Sequence, residues 1–264
     1  MSGHAAGMER VDYDAIAHDY DLRYEREDYA DVENALVTFV GDDPTCRVLE
    51  VGCGTGHWLA RLAHQGATNL AGLDRSAQML AIARSKVADA DLREGDASDL
   101  PWRDASVDRV ICVHALHHFA DKPAFIAEAR RVLGPGGGIF TVGLDPHVGA
   151  DRWIVYDVFD GTLEADRRRY PPTATIRAWL TAAGFVGATT SVAMRHSVRM
   201  AAGTALDSGY LDRHATSQLT LLSEEAYRDG IARVMARVHD AEAQGETFEV
   251  RADLRVYATV AWIP

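Results

Sequence analysis

Three glycines recur at every second position in RVLEVGCGTGHWLARL, residues 47–62, as Gly52, Gly54 and Gly56. An apolar run precedes them and an amphipathic run follows, so the stretch predicts a strand, a tight loop and a helix whose amino end faces a ligand. Three ligand classes compete for such a loop: a nucleotide phosphate, a dinucleotide, or a molecule with no phosphate. A P-loop needs Gly-Lys followed by Ser or Thr, because the lysine reaches the phosphates. The two lysines of this chain, Lys86 and Lys122, follow Ser85 and Asp121, so that reading fails. A dinucleotide loop needs G-x-G-x-x-G, and His57 stands where the third glycine belongs. A short-chain nicotinamide enzyme would also carry a tyrosine four residues before a lysine, where Ile82 and His118 stand instead.

A ligand with an amino-acid end and a nucleoside end needs close backbone approach without a phosphate cradle. It also calls for an acid at the end of the second strand, where ribose hydroxyls are held in dinucleotide folds. Asp74 stands at the end of NLAGL, 18 residues after Gly56, and Asp96 closes EGD, where it could read an adenine amino group. S-adenosylmethionine has these parts. Its chemistry is an in-line methyl displacement, for which a protein aligns the nucleophile and excludes water. A base is needed only where the acceptor carries a proton of high pKa. His114, His117 and His118 lie just past the fourth strand and could accept such a proton. Their H-x-x-H-H spacing lacks a matching carboxylate, so no metal is expected. Asp145 and His147 form a second candidate group, and His57 reads as a local packing or cap residue.

These residues need elements to hold them. Helical spacing covers 28–40, and Gly41-Asp42-Asp43-Pro44 breaks the chain. Strands are expected at 47–51, 69–73, 92–94, 107–113 and 138–142, alternating with helices at 56–65, 76–87 (capped by Ser76) and 122–133. Strands separated by helices of ten or so residues imply parallel pairing in a doubly wound α/β sheet. The alternation lapses at 144–170 and 197–245, which read as helical cap insertions around a helix at 173–183 and strands at 184–194 and 247–262. Trp153, Tyr156, Phe159, Tyr170 and Tyr210 could line an apolar pocket there, although each reads more readily as core of the cap.

Five segments in order carry a resemblance: YDAIAHDYD at 13–21, LEVGCGTG at 49–56, GLDRSAQML at 72–80, EGDASDLPWRDASVDRVIC at 94–112 and LHHFADKPAFIAEARRVLGPGGGIF at 116–140. The stretch 13–143 resembles the class I S-adenosylmethionine-dependent methyltransferases, in particular the small-molecule, ubiquinone-biosynthesis-like (type 11) branch. The resemblance implies a Rossmann-like seven-stranded sheet of order 3-2-1-4-5-7-6 with its last strand antiparallel. It implies a single domain over 1–264 with its cofactor-binding part at 11–143. Glu50, Gly52, Gly54 and Gly56 would hold the methionine part of the cofactor. Asp74, with Arg75 beside it, would hold the ribose, and Asp96 with the Ala97 backbone the adenine. Tyr13 and Tyr20 would close over the cofactor carboxylate. Val113 and His114 would lie beside the methionine and the acceptor, with His117 and His118 close by. The implied activity is methyl transfer to oxygen, nitrogen or carbon of a small molecule. A protein that binds the cofactor without methylating remains an alternative, and a nicotinamide oxidoreductase a weaker one. No D/N-P-P-Y element follows strand four, and Tyr170-Pro171-Pro172 comes too late to serve, which argues against base-amino methylation of DNA.

Composition agrees. The net charge of −12, with 39 acidic against 27 basic side chains, disfavours a phosphate-backbone partner. The basic run Arg167-Arg168-Arg169 is expected to be a solvated turn. Three cysteines without C-x-x-C spacing argue against a disulfide framework and fit a reducing cytoplasm. No signal peptide is visible, no window is apolar enough to span a bilayer, and residues 1–10 are small and polar.

Overall fold

The computed structural model describes residue 11 and residues 13–264, apart from 19 and 27. The polar stretch 1–10 lies outside the described residues. Short helices α1 (Tyr13–Ile16) and α2 (Leu22–Arg26) lead into α3 (Ala30–Val40). There follow β1 (Arg47–Val51), α4 (His57–His64), β2 (Asn69–Asp74), α5 (Ala77–Lys86), β3 (Asp91–Glu94) and β4 (Val107–Val113). A 3-10 turn at Leu116–His118 precedes α6 (Lys122–Val132) and β5 (Leu133–Leu144). The rest is β6 (Arg152–Trp153), α7 (Ile154–Val158), α8 (Thr162–Arg169), α9 (Thr173–Ala182), β7 (Val186–Ala201), α10 (Ala202–Asp207), α11 (Ser217–Thr220), α12 (Glu224–Ala243) and β8 (Glu249–Trp262).

The sheet runs β3-β2-β1-β4-β5-β8, with β7 pairing β8. This is the expected seven-stranded order, to which the two-residue β6 adds an eighth strand against β8. β1 pairs in parallel with β2 and β4, and β5 with β4, whereas β8 is antiparallel to β5. β5 begins five residues earlier than the hydrophobic pattern suggests. Leu133 already pairs with Val107, and the register shifts before Arg109 meets Gly138. A pairing that precedes the apolar run leaves no periodic signal in Leu-Gly-Pro-Gly.

The chain forms two compact units. One comprises 13–149, 169–195 and 255–264; the other includes 150–168 and 196–254. In the first, strands covered on both faces account for the continuous apolar runs. Leu49, Val51, Val110 and Cys112 pack with Phe125, Ile126, Ala129 and Leu180 of α6 and α9. Val48, Ile111, Val113 and Phe140 pack with Leu36, Leu59, Leu62 and Leu80 of α3, α4 and α5. Each fully buried leucine contributes about 1.5–3 kcal/mol of apolar burial. In the second unit, Phe159 stacks at 5.9 Å on Tyr227, and Asp166 accepts the Tyr156 hydroxyl and Gln218 Nε2, each at 2.7 Å. The Trp153 indole donates to the Tyr210 hydroxyl at 3.3 Å, so four of the five aromatics singled out in the insertions pack inside this unit. Ser223 caps α12 by accepting from the Ala226 N–H at 3.1 Å. The basic run departs from expectation: it closes helix α8, and Arg169 is buried with its guanidinium 5.6 Å over the Tyr170 ring. All three cysteines are free and buried, and among the described residues no helix is long and apolar enough to cross a membrane.

Candidate functional site

β1 delivers the glycine loop to the carboxyl edge of the sheet. The Gly52 and Cys53 amides donate to the Leu73 carbonyl at 2.7 and 3.0 Å, which ties the loop to the end of β2. Gly52 has φ +77°, and a Cβ there would lie 2.4 Å from that of Ala115, so the segment after β4 packs directly on the loop. A Cβ on Gly56 would meet Ala83 of α5 at 3.0 Å. Gly54 (φ +50°) is different: the nearest atom to a Cβ there is the Tyr20 ring at 3.8 Å, which leaves its face open for a ligand.

Asp74 joins the loop to the next helix. One carboxylate oxygen accepts the Gly54 N–H at 2.8 Å and the other the Ser76 N–H at 2.9 Å. Ser76 in turn caps α5 through the Met79 N–H. Burial raises the Asp74 pKa against the pull of the Ser76, Gly54 and Arg75 amides and the Arg75 charge. Glu50, in β1 opposite Gly72 and Ile111, is 1 % exposed. Burial first, then the Asp74 charge, pushes its pKa well up, opposed by the Leu59 amide, and its Oε2 has no hydrogen-bond partner among the described residues. A buried and a half-buried carboxyl that repel each other, the first with an oxygen left unpartnered, form a place that a cation stabilises. Asp96 lies beyond β3, where it accepts from the Ser98 amide and hydroxyl at 3.0 and 2.8 Å and stands 3.8 Å from Arg75; Ala97 beside it is buried.

The amino-terminal segment reaches this loop through more than its tyrosines. The Ser76 hydroxyl donates to Asp14 at 2.5 Å, the Thr55 hydroxyl donates to Asp21 at 2.6 Å, and Lys86 pairs with Asp21. The Tyr24 ring stacks on His57 at 3.5 Å and 7°, and Arg23 lies 4.7 Å over Tyr20. Asp14, Asp21 and Tyr24 were not singled out from sequence, although the two acids belong to the YDAIAHDYD stretch that was. His57 is the packing residue it was read as, its pKa lowered to about 4 by burial and Lys86.

The three histidines after β4 come together but differ in their partners. His114 follows Val113, adopts φ +51°, and donates its amide to the Val142 carbonyl at 2.9 Å. Its Nε2 is buried without a partner, and burial with the Arg23 charge lowers its pKa to about 3. His118 Nε2 shares a 2.5 Å hydrogen bond with the Tyr13 hydroxyl, and burial with the charges of Arg169, Arg23 and Lys122 lowers its pKa to about 3. His117 Nε2 shares a 3.0 Å hydrogen bond with the Tyr170 hydroxyl; the two rings stack at 4.0 Å, and burial lowers the His117 pKa well below its ordinary value. The His117 and His118 rings are 3.8 Å apart. Tyr13 also meets Tyr20 edge-on at 5.9 Å.

Asp145 and His147 take a supporting position. Asp145 accepts from the His147 amide at 3.1 Å and from the Thr173 amide and hydroxyl at 2.8 and 2.9 Å, while His147 Nε2 donates to the Tyr170 carbonyl at 3.0 Å. A cavity of about 330 Å³, counted out to open solvent, has His117 and Tyr170 in its wall. None of its twelve lining residues is an acid, a lysine or an arginine, and Thr141, Thr173, Tyr257 and Thr259 give it hydroxyls.

Residues 49–141 match the methyltransferase domain family. An uncharacterised methyltransferase-like protein of Schizosaccharomyces pombe is 33 % identical over 138 residues, 48 % of this chain and 54 % of its own length. The demethylmenaquinone methyltransferase of Deinococcus radiodurans is 39 % identical over 105 residues, 38 % of this chain and 44 % of its own. The chain thus spans about half the length of these relatives. Over the whole fold, the crystal structure of an S-adenosylmethionine-dependent methyltransferase from Thermotoga maritima is similar at a TM-score of 0.59 and 16 % identity, covering 96 % of this chain and 98 % of that one.

Proposed function

We propose that the chain, whose residues 49–141 match the methyltransferase domain family, is a class I S-adenosylmethionine-dependent methyltransferase that transfers a methyl group from that cofactor to a small-molecule acceptor. The observation that carries the reading is the pairing of the open Gly54 face with two acids, the buried Glu50 and the half-buried Asp74, the first of which keeps an oxygen without a hydrogen-bond partner among the described residues. Such a place suits a cationic ligand that lies against backbone. When bound, the cofactor supplies an electrophilic methyl on a sulfonium. Glu50, Gly52, Gly54 and Gly56 hold its amino-acid end, Asp74 and Arg75 its ribose, and Asp96 with Ala97 its adenine. Tyr13 and Tyr20 cover it, and Val113 and His114 border the methyl. His117 and His118 stand on the acceptor side, held neutral by burial. We read 1–264 as one methyltransferase domain, with a cofactor-binding core at 11–143 and helical cap insertions at 144–170 and 197–245.

Calorimetry with S-adenosylmethionine and with NADH tests the cofactor, and only the former should bind. Formation of S-adenosylhomocysteine with added hydroxyl and amine compounds tests the transfer. Tight cofactor binding with no methylated product from any of them would favour a non-methylating role.

A further inference from the structure

Tyr170 belongs to no segment that carries the family resemblance, yet its hydroxyl is held beside the histidines by contacts from several sides. His147 anchors its carbonyl, Asp145 holds the start of α9 through Thr173, and Pro171 and Pro172 stiffen the link between them. A side chain fixed by its neighbours in this way is pre-organised for work in the cavity it lines. Its hydroxyl meets His117 Nε2 at 3.0 Å with the rings stacked, so the phenol and the imidazole act as one unit. The cavity before them has hydroxyls but no ionised side chain, so an ionised group entering it would lose hydration without an ion-pair partner in the wall.

We propose that Tyr170 is a catalytic residue that contacts an uncharged acceptor bearing a hydroxyl or amine, and that His117 receives the proton released on methylation. The inference rests on the methyltransferase reading above. As the acceptor oxygen or nitrogen bonds to the methyl carbon, the carbon–sulfur bond breaks and its electron pair stays on sulfur. The acceptor's proton passes to the Tyr170 oxygen, while the phenol's own proton passes to His117 Nε2. The positive charge therefore leaves sulfur and ends on the imidazole, and the net charge of the site is unchanged. A weak base suffices, because the acceptor's proton becomes strongly acidic only as the new bond forms. This matches a histidine whose burial disfavours its charged form.

The test uses the full chain with ¹⁵N-labelled histidine, saturated with S-adenosylhomocysteine. Phenol serves as the uncharged hydroxyl probe, aniline, which is neutral at the pH of the experiment, as the amine probe, and benzoate as a charged control. Phenol or aniline should shift the His117 ring nitrogens, and benzoate should not. Tyr170→Phe keeps the ring stack and loses only the hydroxyl; it should weaken the effective probe about tenfold, the value of one hydrogen bond, with S-adenosylhomocysteine affinity unchanged. An unmoved His117 signal with both probes, an equal response to benzoate, or wild-type probe binding by Tyr170→Phe would overturn the proposal. Failure of the wild-type protein to bind S-adenosylhomocysteine would instead overturn the cofactor assignment, and His147→Ala, which loosens Tyr170 only through its carbonyl, should reproduce the probe defect more weakly.

Discussion

Replacing Asp74 with alanine should weaken S-adenosylmethionine binding by more than tenfold. An ionised carboxylate offers about four lone-pair sites. The Gly54 and Ser76 amides take one on each oxygen, at 2.8 and 2.9 Å, and the Arg75 amide approaches the same group. At least one site remains for a ribose hydroxyl. A hydrogen bond to a charged acceptor is worth about 1.5–3 kcal/mol net, so losing even one gives between about tenfold and 150-fold. Alanine also frees the Gly54 amide, which loosens the loop in the unbound protein. Asp74→Asn keeps the shape and one acceptor but loses the charge, and should fall between the two.

The assay is calorimetric titration at pH 7.5, run beside a thermal melt so that lost binding is not lost folding. The pKa of Asp74 is raised by burial, so affinity in the wild type should decline as pH falls toward the carboxylate range, and Asp74→Asn should show a shallower decline, the rest coming from Glu50, whose pKa burial also raises. An Asp74→Ala protein that melts normally and binds within twofold of wild type would refute the ribose assignment.

Other substitutions separate packing from binding. Gly52→Ala places a methyl 2.4 Å from Ala115 at φ +77° and should cost more than about 2 kcal/mol in denaturant unfolding. Gly54→Ala has room at 3.8 Å, so it should cost only about 1 kcal/mol of stability while cofactor affinity drops at least tenfold. Gly230→Ala in α12 would usually gain about 1 kcal/mol of helix propensity. Here the new methyl would lie 2.0 Å from the Phe159 ring, so the melting temperature should fall instead. His114 and His118 have folded pKa values near 3 against an ordinary 6.5, so the unfolded chain binds the extra protons. Stability should be full above about pH 6.5 and decline as pH falls toward 3, by on the order of 1 kcal/mol per pH unit from each. A melting temperature flat from pH 7 to 4.5 would contradict this.

The sheet order was legible because alternating strand and helix periods leave few topologies, and the glycine loop because its backbone geometry restricts residue type. Ser76 announced its helix by capping chemistry. What escaped has physical reasons. The early start of β5 lies in Leu-Gly-Pro-Gly, where no side-chain period exists to read. Arg169 looked solvated because a charge run says nothing about the last turn of a helix, where one residue in three or four faces inward. Asp145 and His147 were recognised as chemically capable, but their service to Tyr170 depends on a contact 23 residues away for His147. Tyr170 itself had no motif to mark it.

The two halves of the site differ in a way that the chemistry explains. Around the loop, Glu50 is a buried acid and Asp74 a half-buried one, and neither has a buried cation partner among the described residues. Around the turn after β4, three histidines are held neutral by burial and by arginine charge. A sulfonium donor would enter as the missing cation on the acidic side, which stabilises the bound ground state; that side alone would slow transfer, because the charge it favours disappears. Compensation must come from where the charge goes. Each neutral histidine can take up a proton as the sulfonium is consumed, and His117 has Tyr170 to conduct it from the cavity. If the histidines were already charged at neutral pH, they would repel the donor and accept nothing. Their depressed basicity suits that role, and His114, whose Nε2 has no hydrogen-bond partner among the described residues, would border the methyl without competing for the Tyr170 relay.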